Sequence, residues 1–272
     1  MKHNLINIFV AMALGTAVLS ACDGKIQPEV DPNQTILDIL GKQDKIVRNM
    51  EISSPVLGKK VLCSIWLPPS YDASKEYPFL YLLHGYSENN NTWLDSGMAA
   101  SIAKEYVNNG GTPLVIVMPD GMDSFYMDNW GMRYETFLYD DLIPTVEKAY
   151  HGNGKRAVAG LSMGGFGTLY HALKNPGQYT TAYAMSPVTS YGSYKLESLL
   201  SGLEDSKAVP PIIIESGNQD ELAPMQNIKE FTGKLDEKGV AYTLVECDGN
   251  HEWSFWQGCL RKALPIIGES FK

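Results

Sequence analysis

Between residues 79 and 249 six short apolar runs recur with helix-compatible segments between them, and this alternation constrains the fold more than any other feature of the chain. The runs are FLYLLHG (79–85), LVIVMPDG (114–121), KRAVAGLS (155–162), TTAYAMSP (180–187), PIIIESGNQD (211–220) and the more alternating YTLVECDG (242–249). Strands apolar at odd and even positions alike suit a sheet covered on both faces. The intervening segments SGMAASIAKEYVNN, YETFLYDDLIPTVEKAY, GFGTLYHALKNP and MQNIKEFTGKLDEKG are compatible with helices, and the last ends on a glycine suited to a C-cap. Repeated strand-helix alternation predicts a doubly wound, mostly parallel α/β sheet with helices on both faces, in a single domain over residues 45–272. Ahead of it, IVRNMEIS and KKVLCSIWLPP, separated by Pro55 and Gly58, predict an antiparallel hairpin at one edge.

The third run leads into AGLSMGGFG (159–167), one serine crowded by four glycines. It lacks the lysine-serine/threonine ending of a phosphate loop and the G-x-G-x-x-G spacing of a dinucleotide site. What it does have is Gly160-x-Ser162-x-Gly164 between a predicted strand and a predicted helix, the pattern of a nucleophile elbow. Such a turn needs small residues on either side of the serine, lifts its Oγ above the sheet edge and offers helix N–H groups to an oxyanion.

A nucleophilic serine needs a base and an acid, which in this strand order follow it in the chain. Of five histidines only His251 comes late and in a loop after a predicted strand; His3 lies at the N-terminus, His84 and His151 precede the serine, and His171 sits within the following helix. For the acid, Asp220 directly follows PIIIESG and is the first choice, with Glu215 and Glu221 as fallbacks. Asp248 is too close in sequence to His251 to reach round it. A tetrahedral intermediate needs two N–H donors. Met163 supplies one, and Tyr86, in the turn after FLYLL, is the choice for the other, with His84 shaping that loop.

The N-terminus has a basic start at Lys2 and an apolar stretch, Ile8–Leu19, too short to span a bilayer comfortably, so residues 1–21 read as a signal peptide. Leu19-Ser20-Ala21-Cys22 resembles a bacterial lipobox, which makes Cys22 the expected site of acylation, residues 22–44 a tether, and the cell envelope the expected location. The chain carries 22 basic and 31 acidic residues, and loss of the leader removes only Lys2, so a nucleic-acid partner is excluded for want of a basic face. Three cysteines remain in an exported chain, where Cys247 and Cys259 bracket the His251 loop and are candidates for a disulfide, while Cys63 reads as a buried strand residue. No C-x-x-C or H-E-x-x-H spacing calls for a metal, and no cofactor motif is present.

Taken together, YLLHGYSENNNTW, VIVMPDGMDSFYMDN, YETFLYDDLIPTVEKAY, AGLSMGGFGTLYHALKNPGQY, SGNQDEL and GNHEWSFW resemble, in family order, the esterase-D/feruloyl-esterase family of α/β-hydrolases. The resemblance runs from about residue 45 to the end. It implies an α/β-hydrolase fold, a triad on Ser162, Asp220 and His251, and oxyanion donors at Tyr86 and Met163. It further implies a serine esterase that trims feruloyl or acetyl groups from plant polysaccharides such as xylan, an ester-bearing carbohydrate being the expected partner. Trp93, Phe125, Tyr126 and Trp130 then become candidate substrate contacts, although core packing competes for each of them. Three other readings stay open: an acyltransferase on the same triad, an S-formylglutathione-hydrolase-like thioesterase, and a non-catalytic glycan-binding lipoprotein. The oligomeric state is not legible.

Overall fold

In the computed structural model the residues described are 44–69, 71–129 and 131–272. The leader 1–21, Cys22, the rest of the tether up to residue 43, and Trp130 lie outside them.

Eight strands form one sheet: β1 (Lys45–Ser54), β2 (Lys59–Leu67), β3 (Tyr77–Leu83), β4 (Val115–Pro119), β5 (Gly152–Leu161), β6 (Thr181–Met185), β7 (Ile212–Gly217) and β8 (Tyr242–Cys247). Their spatial order is β1-β2-β4-β3-β5-β6-β7-β8. Pairing is antiparallel where β2 meets β1 and β4, and parallel everywhere else. The edge hairpin carries a bulge between Val47 and Met50, where Asn49 adopts φ 55°.

The apolar runs are continuous because each strand feeds two cores. Phe79, Tyr81, Val115, Val117, Ile212 and Ile214 face one side of the sheet, where they meet the helices α2, α3 (Met163–Lys174) and α4 (Met225–Lys238). Here α2 is a composite of Tyr134–Phe137, a π-helical turn Leu138–Leu142 and Ile143–Ala149. Leu80, Leu82, Ile116 and Ile213 face the other side, against α1 (Ala99–Asn108) and α5 (Trp253–Ser270). The alternation of strand side chains thus leaves no polar face, as a doubly covered sheet demands. The two edge strands are the exceptions: β1 is largely exposed along its length, and the alternating sequence of β8 matches its half-exposed burial.

The winding reverses direction in the middle. The connection from β3 to β4 runs through α1 on one face, whereas β4 returns through α2 on the other and lands beside β3 as β5. Ligand crevices in open α/β sheets form outside the carboxyl ends of strands at such a reversal.

Candidate active site

Ser162 stands between β5 and α3 with φ 52° and ψ −112°, a backbone conformation an L-residue adopts only under constraint. Two glycines make the constraint tolerable. A Cβ on Gly160 would lie 2.5 Å from the Gly164 carbonyl oxygen, and one on Gly164 would lie 2.4 Å from the Leu83 carbonyl oxygen. The main chain around Ser162 is held by its N–H donating to Met185 O (2.9 Å) and its carbonyl accepting from Phe166 N–H (2.9 Å).

His251 follows β8, and Asp220 follows β7. The Nδ1 of His251 lies 2.7 Å from Asp220 Oδ2. The second carboxylate oxygen accepts the N–H groups of Leu222 (3.0 Å) and Ala223 (2.8 Å), so the acid is locked in orientation. Burial alone would raise the Asp220 carboxyl; the hydrogen bonds from His251, Ala223 and Ser186 outweigh it and hold the group below the ordinary aspartate range. A charged Asp220 accepts the Nδ1 proton, which leaves Nε2 with its lone pair available as a base. Trp256 packs edge-on against the imidazole, with ring centroids 4.8 Å apart at 90°, and its indole N–H donates to Ser186 Oγ (3.2 Å). Neither Ser186 nor Trp256 is visible as a site residue in the sequence, because each reaches the pair only through the fold. The fallback acids are engaged elsewhere: Glu221 is exposed, and Glu215 is fully buried beside Tyr183 and Lys262, whose Nζ lies 2.5 Å from Oε1.

The loop after β3 is pinned peptide by peptide. Gly85 N–H donates to Glu88 Oε2 (2.7 Å), His84 Nδ1 lies 2.7 Å from Gly85 O, and Ser87 N–H donates to Asp123 Oδ1 (2.6 Å). His84 Nε2 accepts the N–H of Gly121 (2.7 Å), so the network assigns the ring proton to Nδ1, which donates to the Gly85 carbonyl. Across a trans peptide the carbonyl and the next N–H point in opposite directions. Tying back Gly85 O therefore turns out the Tyr86 N–H, which has no acceptor among the described residues. Met163 is the first residue of α3, where an N–H has no intrahelical partner. Gly164 packs on the carbonyls of Leu83 and His84, which brings that helix end against the same loop.

The aromatic candidates separate. Trp93 and Tyr126 are core residues, 1% and 0% exposed, with Trp93 Nε1 donating to Leu83 O and the Tyr126 hydroxyl to His84 O; neither can touch a substrate. Loops rich in aromatics look like binding surfaces in sequence, but here these two rings pack beneath the loops. Phe125 is buried as well, at 7% exposed, stacked on Tyr191 with centroids 3.6 Å apart, whereas the Tyr86 ring that leans on it at 6.1 Å is 56% exposed. Tyr191 was not singled out in the sequence. The disulfide expectation is also corrected: Cys247 and Cys259 are free. The Cys247 thiol turns to Glu215 Oε1 (3.5 Å), whereas Cys259 is buried in the apolar core between the sheet and α5.

Against this geometry a family model described as "Putative esterase" matches residues 54–267. The chain belongs to this esterase family. Its sheet is that of the α/β-hydrolase esterases, as solved structures attest. A ferulic acid esterase has a TM-score of 0.77 at 27% identity, with 85% of this chain and 99% of that one covered. S-formylglutathione hydrolase from Staphylococcus aureus reaches 0.68 at 21% identity, with coverage of 84% and 97%, a likeness of fold alone. Among sequence relatives, the endo-1,4-beta-xylanase/feruloyl esterase of Xylanibacter ruminicola is 29% identical over 231 residues, covering 79% of this chain and 30% of that protein. This family member thus spans less than a third of that relative's length. An acetyl esterase of Caldicellulosiruptor saccharolyticus is 26% identical over 239 residues, with coverage of 72% and 85%.

Proposed function

We propose that the chain is a serine carboxylesterase that hydrolyses acyl esters carried on plant polysaccharides or oligosaccharides, of the feruloyl or acetyl xylan esterase type. The observation that carries this reading is the Asp220–His251 hydrogen bond, formed at the same sheet edge from which the strained Ser162 leaves β5. The xylanase/feruloyl esterase and acetyl esterase relatives support the substrate class.

The chemistry follows from the atoms. His251 Nε2 takes the Ser162 hydroxyl proton as Oγ attacks the ester carbonyl, and the carbonyl oxygen gains negative charge. On this reading the N–H groups of Tyr86 and Met163 receive that charge, and Asp220 stabilises the imidazolium that forms. His251 then returns its proton to the departing alcohol oxygen. Water, activated by the same Nε2, attacks the acyl-enzyme, and the acid leaves with Ser162 restored.

Beside the Tyr86 donor, the exposed Tyr86 ring and the half-buried Tyr191 ring flank the buried Phe125 ring and offer aromatic surface. A planar aromatic acyl group such as feruloyl gains from stacking there, whereas acetyl gains nothing. Trp130, which follows Phe125 closely in the sequence, stays a candidate contact. The lipobox-like Leu19–Cys22 stretch supports a chain released from residues 1–21, acylated at Cys22 and held at the cell envelope by a 22–44 tether. Loss of labelled fatty acid from a Cys22→Ser variant checks the anchor.

The decisive experiment measures acid release from methyl ferulate, acetylated xylan and a p-nitrophenyl ester, with Ser162→Ala beside each and a sugar acceptor added in parallel. Serine-dependent free acid is the expected result. Acylated sugar in its place identifies a transferase, and equal rates in the alanine variant overturn the mechanism.

A further inference from the structure

Glu88 is a half-buried carboxylate that the mechanism above leaves unused. Its Oε2 accepts the Gly85 N–H at 2.7 Å, and it takes part in no ion pair among the described residues. Three other groups face it: the imidazoles of His84 and His251, and the indole N–H of Trp253. Trp253 is the first residue of α5, two positions beyond His251. One carboxylate therefore touches the loop that carries the Tyr86 donor and faces the loop that carries the base.

Gly85 makes that contact consequential. It has no side chain to restrict it, so the two peptides that meet at its Cα turn independently unless each is held. His84 holds the peptide after Gly85, the one whose N–H belongs to Tyr86. Glu88 holds the peptide before it. The space for the carboxylate exists because residue 85 is glycine: a Cβ there would sit 3.2 Å from Glu88 Oε2 and 2.8 Å from a Leu161 methyl. Removing the acceptor leaves that peptide tied only at its carbonyl, by the Tyr126 hydroxyl, so one of its two restraints is lost and the aim of the Tyr86 N–H loosens.

We infer that Glu88 is a positioning residue that fixes the oxyanion loop through the Gly85 N–H. This rests on the assignment of Tyr86 and His251 in the proposed mechanism. A charge-stabilising donor counts only at the stage where the oxyanion exists, so the loss falls on the transition state and spares ground-state binding.

The test uses Glu88→Ala and Glu88→Gln in the full chain. The readouts are kcat and KM on methyl ferulate and a p-nitrophenyl ester, thermal midpoint, and inhibition by a boronic acid that forms a tetrahedral adduct with the serine. Complete loss of one oxyanion donor costs on the order of 10²–10³-fold in kcat. A donor that is merely unaimed should cost less, about 10-fold or somewhat more. The expected result is that fall in kcat for Glu88→Ala with KM unchanged and boronic acid binding weakened in proportion. Glu88→Gln, whose amide oxygen still accepts from Gly85, should recover most of the rate. Wild-type kcat in the alanine variant overturns the inference, as does a glutamine variant no better than alanine, or a rate loss that tracks the thermal midpoint while boronic acid affinity holds. Ser162→Ala assayed alongside keeps the two readings apart: activity there sinks the mechanism itself, whereas a dead Ser162→Ala with a fully active Glu88→Ala sinks only the role of Glu88.

Discussion

Trp256 meets the imidazole of the Asp220–His251 pair with its ring edge, and its indole N–H holds the hydroxyl of Ser186, which lies near the Asp220 carboxylate. The pair is thus fixed laterally as well as along its hydrogen bond. Replacing Trp256 by Phe keeps the apolar edge and removes the N–H, which frees Ser186 to reorient. About a 3- to 10-fold fall in kcat is expected, since the cost is one modest hydrogen bond acting through another. Steady-state kinetics on a p-nitrophenyl ester measures it.

Asp220→Asn acts more severely. An amide presents a donor to His251 Nδ1, so the ring turns its lone pair toward residue 220 and its proton toward Ser162, which is the wrong tautomer for a base. The expected loss is on the order of 10³–10⁴-fold in kcat with the thermal midpoint nearly unchanged. A comparable thermal midpoint with near-normal turnover would show that another residue orients His251.

Two glycines in helices give opposite predictions for the same change. Gly164→Ala drives a Cβ to 2.4 Å from the Leu83 carbonyl, a backbone atom that cannot step aside, and should cost about 3 kcal/mol or more. Gly233→Ala in α4 meets nothing within 4 Å and should stabilise by roughly 0.5–1 kcal/mol through helix propensity. Urea midpoints of the two variants against the parent decide both.

Acid stability is set in part by His171, which is fully buried in α3. Burial pushes its imidazole down to about 4 from an ordinary value of 6.5. The unfolded chain therefore takes up the proton first. Stability is complete above pH 6.5 and falls as pH drops toward 4, by about 3 kcal/mol from this group. Below that window the carboxylates of Glu135, Glu215 and Asp220, each held low by hydrogen bonds that outweigh burial, add further loss. Thermal midpoints between pH 7 and 4 should show the decline, and a His171→Phe variant should flatten the upper part of it.

The thiols offer a direct check on the cysteine correction. Cys247 is half-exposed, whereas Cys63 and Cys259 are buried. Alkylation of the native protein followed by peptide mapping should modify Cys247 first. The reaction should be slow, because burial and the neighbouring Glu215 carboxylate push that thiol up. A peptide joined through residues 247 and 259 before reduction would contradict the free thiols.

The sheet was legible because its signals are local. Two-faced apolar runs, a strand–glycine–serine–glycine–helix junction and an alternating last strand each report their own surroundings; β4, β6, β7 and β8 fall within those runs, while β3 and β5 begin ahead of theirs, at Tyr77 and Gly152. The C-terminal helix Trp253–Ser270 was less legible, since Pro265 interrupts its pattern as a breaker would. The π-helical turn at Leu138–Leu142 likewise leaves no periodic mark. In the site, the order of elements along the chain singles out His251, but Ser186, Trp256 and Glu88 are joined to it only by contacts across loops. For Trp93 and Tyr126 the choice between substrate contact and core packing stayed open in the sequence for the converse reason: composition reveals an aromatic, and only packing reveals which way it faces.

The reversal of winding between β3 and β5 divides the machinery unequally. Strands β5 to β8 and their loops carry Ser162, Asp220 and His251 together with the Met163 donor, while Tyr86 arrives from the other half of the sheet. On the proposed mechanism, a partly folded chain with only the second half assembled holds a base and a nucleophile but an open charge trap. On that mechanism the seam between the halves, Leu83 against Gly160 and Gly164, must be closed before the enzyme is armed, so competence is a report on completed folding.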